Sequence, residues 1–165
     1  MTNSKPIIHL ICGPIGAGKT TFAAGHAKNI HGPVFSVDEW MVSLFAKDMP
    51  MPIDWSWIAE RATRCEERIL DTALRLVPLG MPCVLDIGLL RADRRGQVAL
   101  DIRSKGHKPQ FHFLDVPAEE RWRRIEHRNA QRGETFHMTV SREMFDFIET
   151  IWEPPSVGEL KALGG

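Results

Sequence analysis

The sequence predicts a single α/β domain built on a doubly wound parallel sheet. Two observations support this fold class. Short, largely apolar segments alternate along the chain with segments of helical periodicity, an order that implies crossover connections between parallel strands. The apolar segments do not alternate with polar residues, as is typical of strands covered on both faces. The four predicted strands are Ile7–Cys12, Pro33–Val37, Pro82–Ile87 and Gln110–Asp115.

Helical patterns fill the intervals between these strands. The clearest predicted helix runs from about Ile58 to Val77, where apolar residues recur at steps of three and four and where Pro78 and Gly80 follow the end. Residues 156–165 show no clear pattern, so we predict a poorly constrained end. Other helices are predicted from Lys19 onward, over about 94–103, over 118–131 and over about 140–152.

Composition restricts the class of protein. The chain has 165 residues, 43% of them hydrophobic and 25% charged, which is ordinary for one globular domain. Its 21 basic and 21 acidic residues give a formal net charge of zero, which argues against binding to long nucleic acid or to an anionic membrane by bulk charge. No apolar segment reaches the length of a membrane-spanning helix. The three separated cysteines predict neither a disulfide framework nor a zinc knuckle, so we expect a cytoplasmic protein.

A phosphate-binding motif is the most specific feature of the chain. Residues 13–20 read GPIGAGKT and match GxxxxGK[ST] at every specified position. The motif follows a predicted strand and opens a predicted helix, so backbone N–H groups and the positive end of the helix dipole can both face a phosphate. Lys19 can reach the outer phosphates, and the Thr20 hydroxyl can ligate Mg²⁺. A glycine-rich turn that binds nothing is the alternative, and the order strand, loop, helix disfavours it.

The motif therefore predicts a nucleotide-binding loop. Its predicted nucleotide-binding residues are Gly13, Pro14, Ile15, Gly16, Ala17, Gly18, Lys19, Thr20 and Thr21.

Two carboxylates follow predicted strands and are candidates for chemistry at the same sheet edge. Asp38 follows the second strand, where it could accept a proton from a substrate hydroxyl, and strand alternation would point Ser36 and Asp38 to the same side and Glu39 away. Alternatively, Asp38 caps the helix that follows it. Asp86 ends the third strand, where a metal-shell or substrate-facing role competes with that of a simple polar strand end.

Arginines and an irregular segment complete the predicted site. Arg124 and Arg128 lie four residues apart on one helix, with Arg132 just beyond, and could neutralise charge during phosphoryl transfer. Alternatively, this helix is a solvated basic helix paired with its own glutamates.

Residues 49–57, rich in Met, Pro and Trp, predict either a flap over a substrate or core filling. The seven histidines show no metal-ligand spacing, and His9 and His112 are predicted to lie in strands.

Together these segments resemble the small phosphate-loop kinases, in particular the zeta-toxin, chloramphenicol phosphotransferase and polynucleotide-kinase-like ATP-binding group, with its AAA-ATPase-like domain. The likeness covers about residues 7–129 and rests on the segments GPIGAGKTTFA, SVDEW, VLDIG and FLDVPAEERWRRIEHRN. It implies a three-layer P-loop NTPase fold with a parallel sheet of order 2-3-1-4, and ATP as phosphoryl donor. It places the general base on Asp38, the phosphate lysine on Lys19 and the Mg²⁺ hydroxyl on Thr20. The lid arginines fall on Arg124 and Arg128, with Arg132 as a further candidate.

One departure from the polynucleotide kinases bears on the substrate. Those enzymes usually follow the base with another acidic residue and a basic one, whereas here Glu39 precedes Trp40 and no basic residue follows until Lys47. This difference favours a small-molecule acceptor over a nucleic-acid 5′-hydroxyl.

The sequence thus predicts one domain over residues 1–165, with a flap at about 47–57 and a lid at about 119–137. The expected function is an ATP- and Mg²⁺-dependent phosphotransferase acting on a hydroxyl of a small molecule. Asp38, Lys19, Arg124 and Arg128 are the expected catalytic residues, and Thr20 and Asp86 the expected metal residues. A polynucleotide 5′-hydroxyl kinase and an ATP-binding switch without kinase activity are the alternatives, and the sequence leaves the oligomeric state open.

Overall fold

The computed structural model describes residues 6–131 and 139–164. Within them, four parallel strands form one sheet in the order β2-β3-β1-β4, as the resemblance implies. The predicted fold class is therefore confirmed. The strands are β1 (Ile7–Cys12), β2 (Val34–Ser36), β3 (Cys83–Asp86) and β4 (Lys108–Phe113).

Helices cover the sheet on both faces. They are α1 (Lys19–Ile30), α2 (Val37–Phe45), α3 (Trp55–Leu76), α4 (Ala92–Ser104), α5 (Ala118–Gln131), α6 (Arg142–Ile151) and α7 (Val157–Gly164). Short 3₁₀ turns at Ala46–Asp48 and Val77–Leu79 extend α2 and α3. Among the helices that the structure describes, none combines the length and the hydropathy needed to traverse a bilayer.

The central strand β1 divides the core into two parts. On one face, Leu10 is fully buried and packs with Ile69 of α3 and Ile102 of α4. On the other face, Ile11 packs with the small residues Ala23 and Ala27 of α1. Burying aliphatic side chains of this size contributes roughly 1.5–3 kcal/mol each, so the two faces together fix the sheet between its helices.

The strand register fixes where the carboxyl ends meet. Cys12 pairs with Phe113, and Ser36 pairs with Asp86, so the loops after all four strands leave the sheet at the same edge. This is the edge at which open parallel sheets bind their ligands.

The region after β2 begins a helix sooner than the sequence analysis predicted. Ser36 ends β2 and caps α2, and its hydroxyl oxygen accepts a hydrogen bond from the backbone N–H of Glu39. Asp38 lies in the first turn of α2, so the interpretation of Asp38 as the cap is wrong. The alternation argument for its direction does not apply either, because Asp38 is helical.

The irregular segment before α3 is shorter than residues 49–57. The carboxylate of Asp54 accepts hydrogen bonds from the backbone N–H groups of Ser56 and Trp57, and α3 therefore starts at Trp55. The two tryptophans of the expected flap belong to a helix, because an aspartate at the N-cap satisfies N–H groups that would otherwise lack partners.

The prediction of a poorly constrained end is wrong. Residues Val157–Gly164 form α7, which packs against β4 and α4, and Leu163 is buried. An ion pair between Glu159 and the buried Arg95 of α4 anchors this helix. Tertiary contact, which no local pattern reveals, therefore orders this segment and partly covers the sheet edge at β4.

Candidate nucleotide-binding site

The loop between β1 and α1 has the backbone conformation that its glycines permit. Gly16 and Gly18 have φ angles of 78° and 91°, in the left-handed region that favours glycine. A Cβ at Gly16 would lie 2.8 Å from the carbonyl oxygen of Arg121, so α5 closes against the loop only because this side chain is absent. A Cβ at Gly13 would lie 3.0 Å from the carbonyl oxygen of Leu114, which gives that glycine a packing role at the base of the loop.

The helix α1 begins directly at the loop. Gly18 is the N-cap residue of α1 and has no side chain. No side-chain oxygen at the N-cap therefore accepts a hydrogen bond from the first N–H groups of the helix. The ammonium group of Lys19 donates to the carbonyl oxygen of Pro14 at 3.2 Å, which folds the lysine back over the loop. Backbone N–H groups, the helix dipole and one ammonium charge therefore converge on one point, an arrangement suited to an anion.

A cavity of about 790 Å³ opens over this loop. Its lining includes every loop residue from Ile15 to Thr21, and also Asp38, Asp86, Arg124 and Arg128. Gly13 and Pro14 are not part of the lining. The fold thus brings together, around one space, four separate segments that the sequence analysis selected. Arg132 lies outside the described residues.

Thr20 and Asp86 meet at the floor of this cavity. The Thr20 hydroxyl donates to a carboxylate oxygen of Asp86 at 3.2 Å, and Asp86 is only 4% exposed. Hydroxyl and carboxylate oxygens are the donors that Mg²⁺ prefers, and Mg²⁺ sites in phosphate-binding proteins commonly use one or two such groups. The donor chemistry of this pair therefore fits a magnesium ion.

Asp38 faces the cavity from the first turn of α2, and its neighbour Glu39 is not among the lining residues. The helix, instead of strand alternation, separates the two carboxylates. The cavity wall beside Asp38 is apolar, with Met41 and Val42 of α2 and Ile58 of α3.

Arg124 and Arg128 approach the loop from α5. Arg124 is about half exposed and forms an ion pair with Glu120 one turn earlier. This is the kind of pairing with the helix's own glutamates that the alternative of a solvated basic helix predicts. The guanidinium of Arg124 nevertheless extends to 3.8 Å from the position of a Cβ on Gly18. The Nε atom of Arg128 is buried and has no hydrogen-bond partner within residues 6–131 and 139–164.

Arg121 is a further arginine of α5 near the loop, which the sequence analysis did not select. It is 3% exposed and forms an ion pair with Glu149 of α6. It also donates to the carbonyl oxygens of Ile15 and Val116, at 3.1 and 2.8 Å. Arg121 therefore holds the loop backbone in place as a positioning residue, and its burial could not be predicted from helical spacing.

The apolar support of α5 was also missed. Ile125, Val140 and Phe145 form a small buried cluster, with Trp122 and Ile15 packed against it. This cluster joins α5 and α6 to the loop. It therefore packs the helix that carries Arg124 and Arg128 against the cavity. The sequence predicted Val140 at the start of an amphipathic helix over about 140–152, whereas α6 begins at Arg142 and Val140 is buried in the segment before it.

The histidines gather, although their spacing predicts no metal site. His9 in β1, His26 in α1 and His112 in β4 have ligand atoms that all lie within 4.8 Å of one another. His9 and His112 are in strands, as predicted. Sequence separations of 17 and 103 residues conceal a cluster that the register of β1 and β4 creates.

The sheet order, with a glycine-rich loop between β1 and α1, defines a P-loop NTPase fold. A family model described as an AAA domain (AAA_33) matches residues 8–150, which is most of the chain. The chain therefore belongs to this AAA domain family. No curated protein sequence matches it.

Solved structures of low sequence identity share the fold. APE1195 is 22% identical, with a TM-score of 0.66 over 92% of this chain and 82% of that one. Kti12 of Chaetomium thermophilum, solved with ADP-AlF3, is 14% identical, with a TM-score of 0.68 over 92% and 82%. The Mycobacterium tuberculosis APS kinase CysC, solved with AMPPNP and APS, is 17% identical, with a TM-score of 0.61 over 93% and 86%.

Proposed function

We propose that this protein is a phosphotransferase that uses ATP and Mg²⁺ to phosphorylate a hydroxyl group of a small molecule. The observation that carries the proposal is the single cavity over the phosphate loop. Around it lie a phosphate-binding backbone, an oxygen pair suited to Mg²⁺, a carboxylate and two arginines. Phosphoryl transfer needs these groups and little covalent chemistry from the protein.

The loop and Lys19 would bind the donor. The backbone N–H of Ala17 donates to the carbonyl oxygen of Pro14 at 3.2 Å, and the N–H groups of Ile15, Gly16, Gly18 and Lys19 can hold the outer phosphates. The ammonium of Lys19 can exchange its contact with Pro14 for a phosphate oxygen. The solved AMPPNP complex of APS kinase and the ADP-AlF3 complex of Kti12, both of this fold, support a nucleotide as the ligand.

Thr20 and Asp86 would hold the magnesium ion. When bound, Mg²⁺ neutralises charge on the phosphates. The protein contributes an oxygen pair whose hydroxyl is already oriented by the carboxylate at 3.2 Å. Because β3 presents Asp86 beside β1, the position of this pair is set by strand pairing and not by a mobile loop.

Asp38 would accept the proton of the attacking hydroxyl. It lies in the first turn of α2 and is the carboxylate that this helix contributes to the cavity lining. A positioned base typically contributes about 10²- to 10⁴-fold to the rate. Arg124 and Arg128 would stabilise the charge on the transferring group, a role suited to guanidinium donors.

The wall near Asp38 supports a small acceptor with an apolar part. Met41, Val42, Met49, Ile58 and Ala62 line this region, and none of them offers a charge for a nucleic-acid backbone. A polynucleotide substrate would need several phosphate contacts from basic side chains. The zero net charge of the chain points in the same direction.

A transfer assay with a matched pair of variants tests the proposal. ATP and Mg²⁺ are supplied with panels of sugars, antibiotics, nucleosides and oligonucleotides, and the labelled product is measured. Asp38→Asn should lower turnover about 10²- to 10⁴-fold while ATP affinity is retained. Glu39→Gln, the adjacent exposed carboxylate outside the lining, should leave turnover unchanged.

Three results would contradict the proposal in different ways. Full turnover of Asp38→Asn would remove Asp38 as the base. ATP hydrolysis that no acceptor increases, together with a partner captured only in the presence of nucleotide, would indicate a nucleotide-dependent switch. Transfer to oligonucleotides alone would indicate a polynucleotide kinase.

A further inference from the structure

The histidine cluster lies outside the machinery described above, on the α1 face of the sheet. His112 pairs in register with Ile11, whose side chain packs under α1, and His9 lies two residues before Ile11 on the same face of β1. His26 descends from α1, two turns after Lys19. Three separate elements therefore each contribute one imidazole to the same point.

The contacts converge on one atom. Nδ1 of His9 lies 3.0 Å from Nε2 of His26 and 3.0 Å from Nε2 of His112. A ring nitrogen carries either one hydrogen or one lone pair in the ring plane, so it can make one good hydrogen bond at a time. No protonation state of His9 supplies full hydrogen bonds to both neighbours.

We propose that His9, His26 and His112 bind a divalent transition-metal ion of the zinc class through Nδ1, Nε2 and Nε2. Such an ion accepts all three lone pairs at once and resolves the conflict at His9. In a tetrahedral site with metal–nitrogen bonds of about 2.0–2.1 Å, ligand nitrogens are separated by about 3.3 Å. The two separations of 3.0 Å lie within a few tenths of an ångström of that value.

The surroundings suit a metal ligand set. Burial, with a further contribution from the neighbouring imidazoles His26 and His112, lowers the pKa of His9 to about 4, and burial also lowers the pKa of His112. The His9 ring is therefore neutral at pH 7, and the lowered pKa of His112 also favours its neutral ring, the form that binds metal. His26 and His112 are partly exposed, so an ion and a water molecule as fourth ligand can enter. The ring of Phe22 lies parallel to His26 at 5.7 Å and adds an apolar side to the site.

Three imidazoles select the metal class. Neutral imidazole suits zinc, copper, nickel and cobalt ions, whereas Mg²⁺ prefers oxygen ligands. The site is thus chemically distinct from the Thr20–Asp86 pair. The cysteines are not part of this site, because the group of possible metal ligands found among the described residues consists of the three imidazoles.

The bound ion would cross-link α1 to the sheet. It would join β1, α1 and β4, and α1 is the helix whose first turn forms part of the phosphate loop. Phe22 contacts the His26 ring and also lines the nucleotide cavity. The proposed metal site and the phosphate loop therefore share helix α1 and the Phe22 side chain.

Zinc titration of the tag-free, chelator-treated protein without nucleotide tests this inference. Calorimetry should give one equivalent of Zn²⁺, and Co²⁺ should give the intense visible absorption of a tetrahedral site. His26→Gln and His112→Gln should each weaken Zn²⁺ binding at least about tenfold, because loss of a ligand costs no less than loss of its supporting group. His107→Gln, a histidine outside the cluster, is the matched control and should bind as the parent protein does.

Each other outcome overturns the inference. Zn²⁺ binding that persists in folded His26→Gln and His112→Gln proteins, as judged by circular dichroism, would exclude the cluster. Binding that is lost in Asp86→Asn instead would assign the ion to the phosphate-loop site. The absence of Zn²⁺ binding by the parent protein would leave the cluster as packed imidazoles only. The assay contains no nucleotide, so none of these outcomes depends on the proposed kinase activity.

Discussion

Arg95 in α4 and Arg128 in α5 both have buried side-chain nitrogens. Among the described residues, they differ in whether protein groups accept hydrogen bonds from those nitrogens. Arg95 is fully buried, and all three of its guanidinium nitrogens donate hydrogen bonds to protein. Its acceptors are the Glu159 carboxylate and the carbonyl oxygens of Leu89, Leu90 and Glu153. Arg128 lines the nucleotide cavity, and its buried Nε has no acceptor within the part of the chain that the structure describes.

This comparison separates structural from functional arginines. A buried guanidinium is stable only when its donors have partners, so the location of those partners indicates the role. Arg95 finds them in the connection before α4, in the turn after α6 and in α7, and thereby ties the end of the chain to the domain. Within the described residues, Arg128 has no partner for its Nε donor, and it faces the cavity, where an anionic ligand would supply one.

The largest expected effect is on stability, in the Arg95 region. Arg95→Met removes the partner of Glu159 and of three carbonyl oxygens, and loss of one partner of a buried pair typically costs about 3–5 kcal/mol. The free energy of unfolding, measured by urea denaturation, should fall by about that amount. Arg103 also joins α4 to α7, through the carbonyl oxygen of Ala162, but lies at the surface. Arg103→Met should cost only about 1 kcal/mol. Equal losses in the two variants would contradict the structural role of Arg95.

The next effect is on catalysis, in the Arg128 region. Arg128→Gln should lower the transfer rate about 10²- to 10³-fold, the usual effect of removing one donor that stabilises transition-state charge. The free energy of unfolding should change by less than about 0.5 kcal/mol, because among residues 6–131 and 139–164 no acceptor loses a hydrogen bond from Arg128. Arg123→Gln, an exposed arginine of the same helix, is the control for charge alone. A large loss of stability in Arg128→Gln with an unchanged rate would reverse the assignment.

Of the three arginines, Arg124 should give the smallest effect when it is substituted. It is 48% exposed and paired with Glu120 on the surface, where an ion pair contributes roughly 0.2–1 kcal/mol. Arg124→Gln should therefore lower the transfer rate only about tenfold and barely change the melting temperature. Parallel rate and thermal-denaturation measurements check this. A loss of rate as large as that of Arg128→Gln would show that exposure is a poor guide to which arginine serves catalysis.

The sequence predicted those parts of the molecule whose determinants are local. The loop at residues 13–20 and the helix over residues 118–131 were predicted at their observed positions, because glycine spacing and a helix-forming run are contained in short segments. The strand order was implied by the resemblance and is confirmed.

Other parts depend on contacts between distant segments and could not be predicted from local patterns. The helix α7 is ordered by Glu159 meeting a buried arginine from α4, and nothing in residues 156–165 indicates this. The histidine cluster depends on the pairing of β1 with β4. The distinction between Arg121, Arg124 and Arg128 depends on how α5 sits against the loop and α6, although the three lie within eight residues.

Calorimetric titration with Mg²⁺–ATP, in the parent protein and in Lys19→Ala, tests most directly whether the loop binds a triphosphate. The parent should bind one equivalent with a Kd below about 1 mM. Lys19→Ala should weaken binding roughly tenfold to a hundredfold, the cost of one charge-assisted hydrogen bond. Lys28→Ala, an exposed lysine on the same helix, should bind as the parent does. Absence of binding heat in the parent, or equal affinities in the parent and Lys19→Ala, would contradict a triphosphate-binding role for this loop.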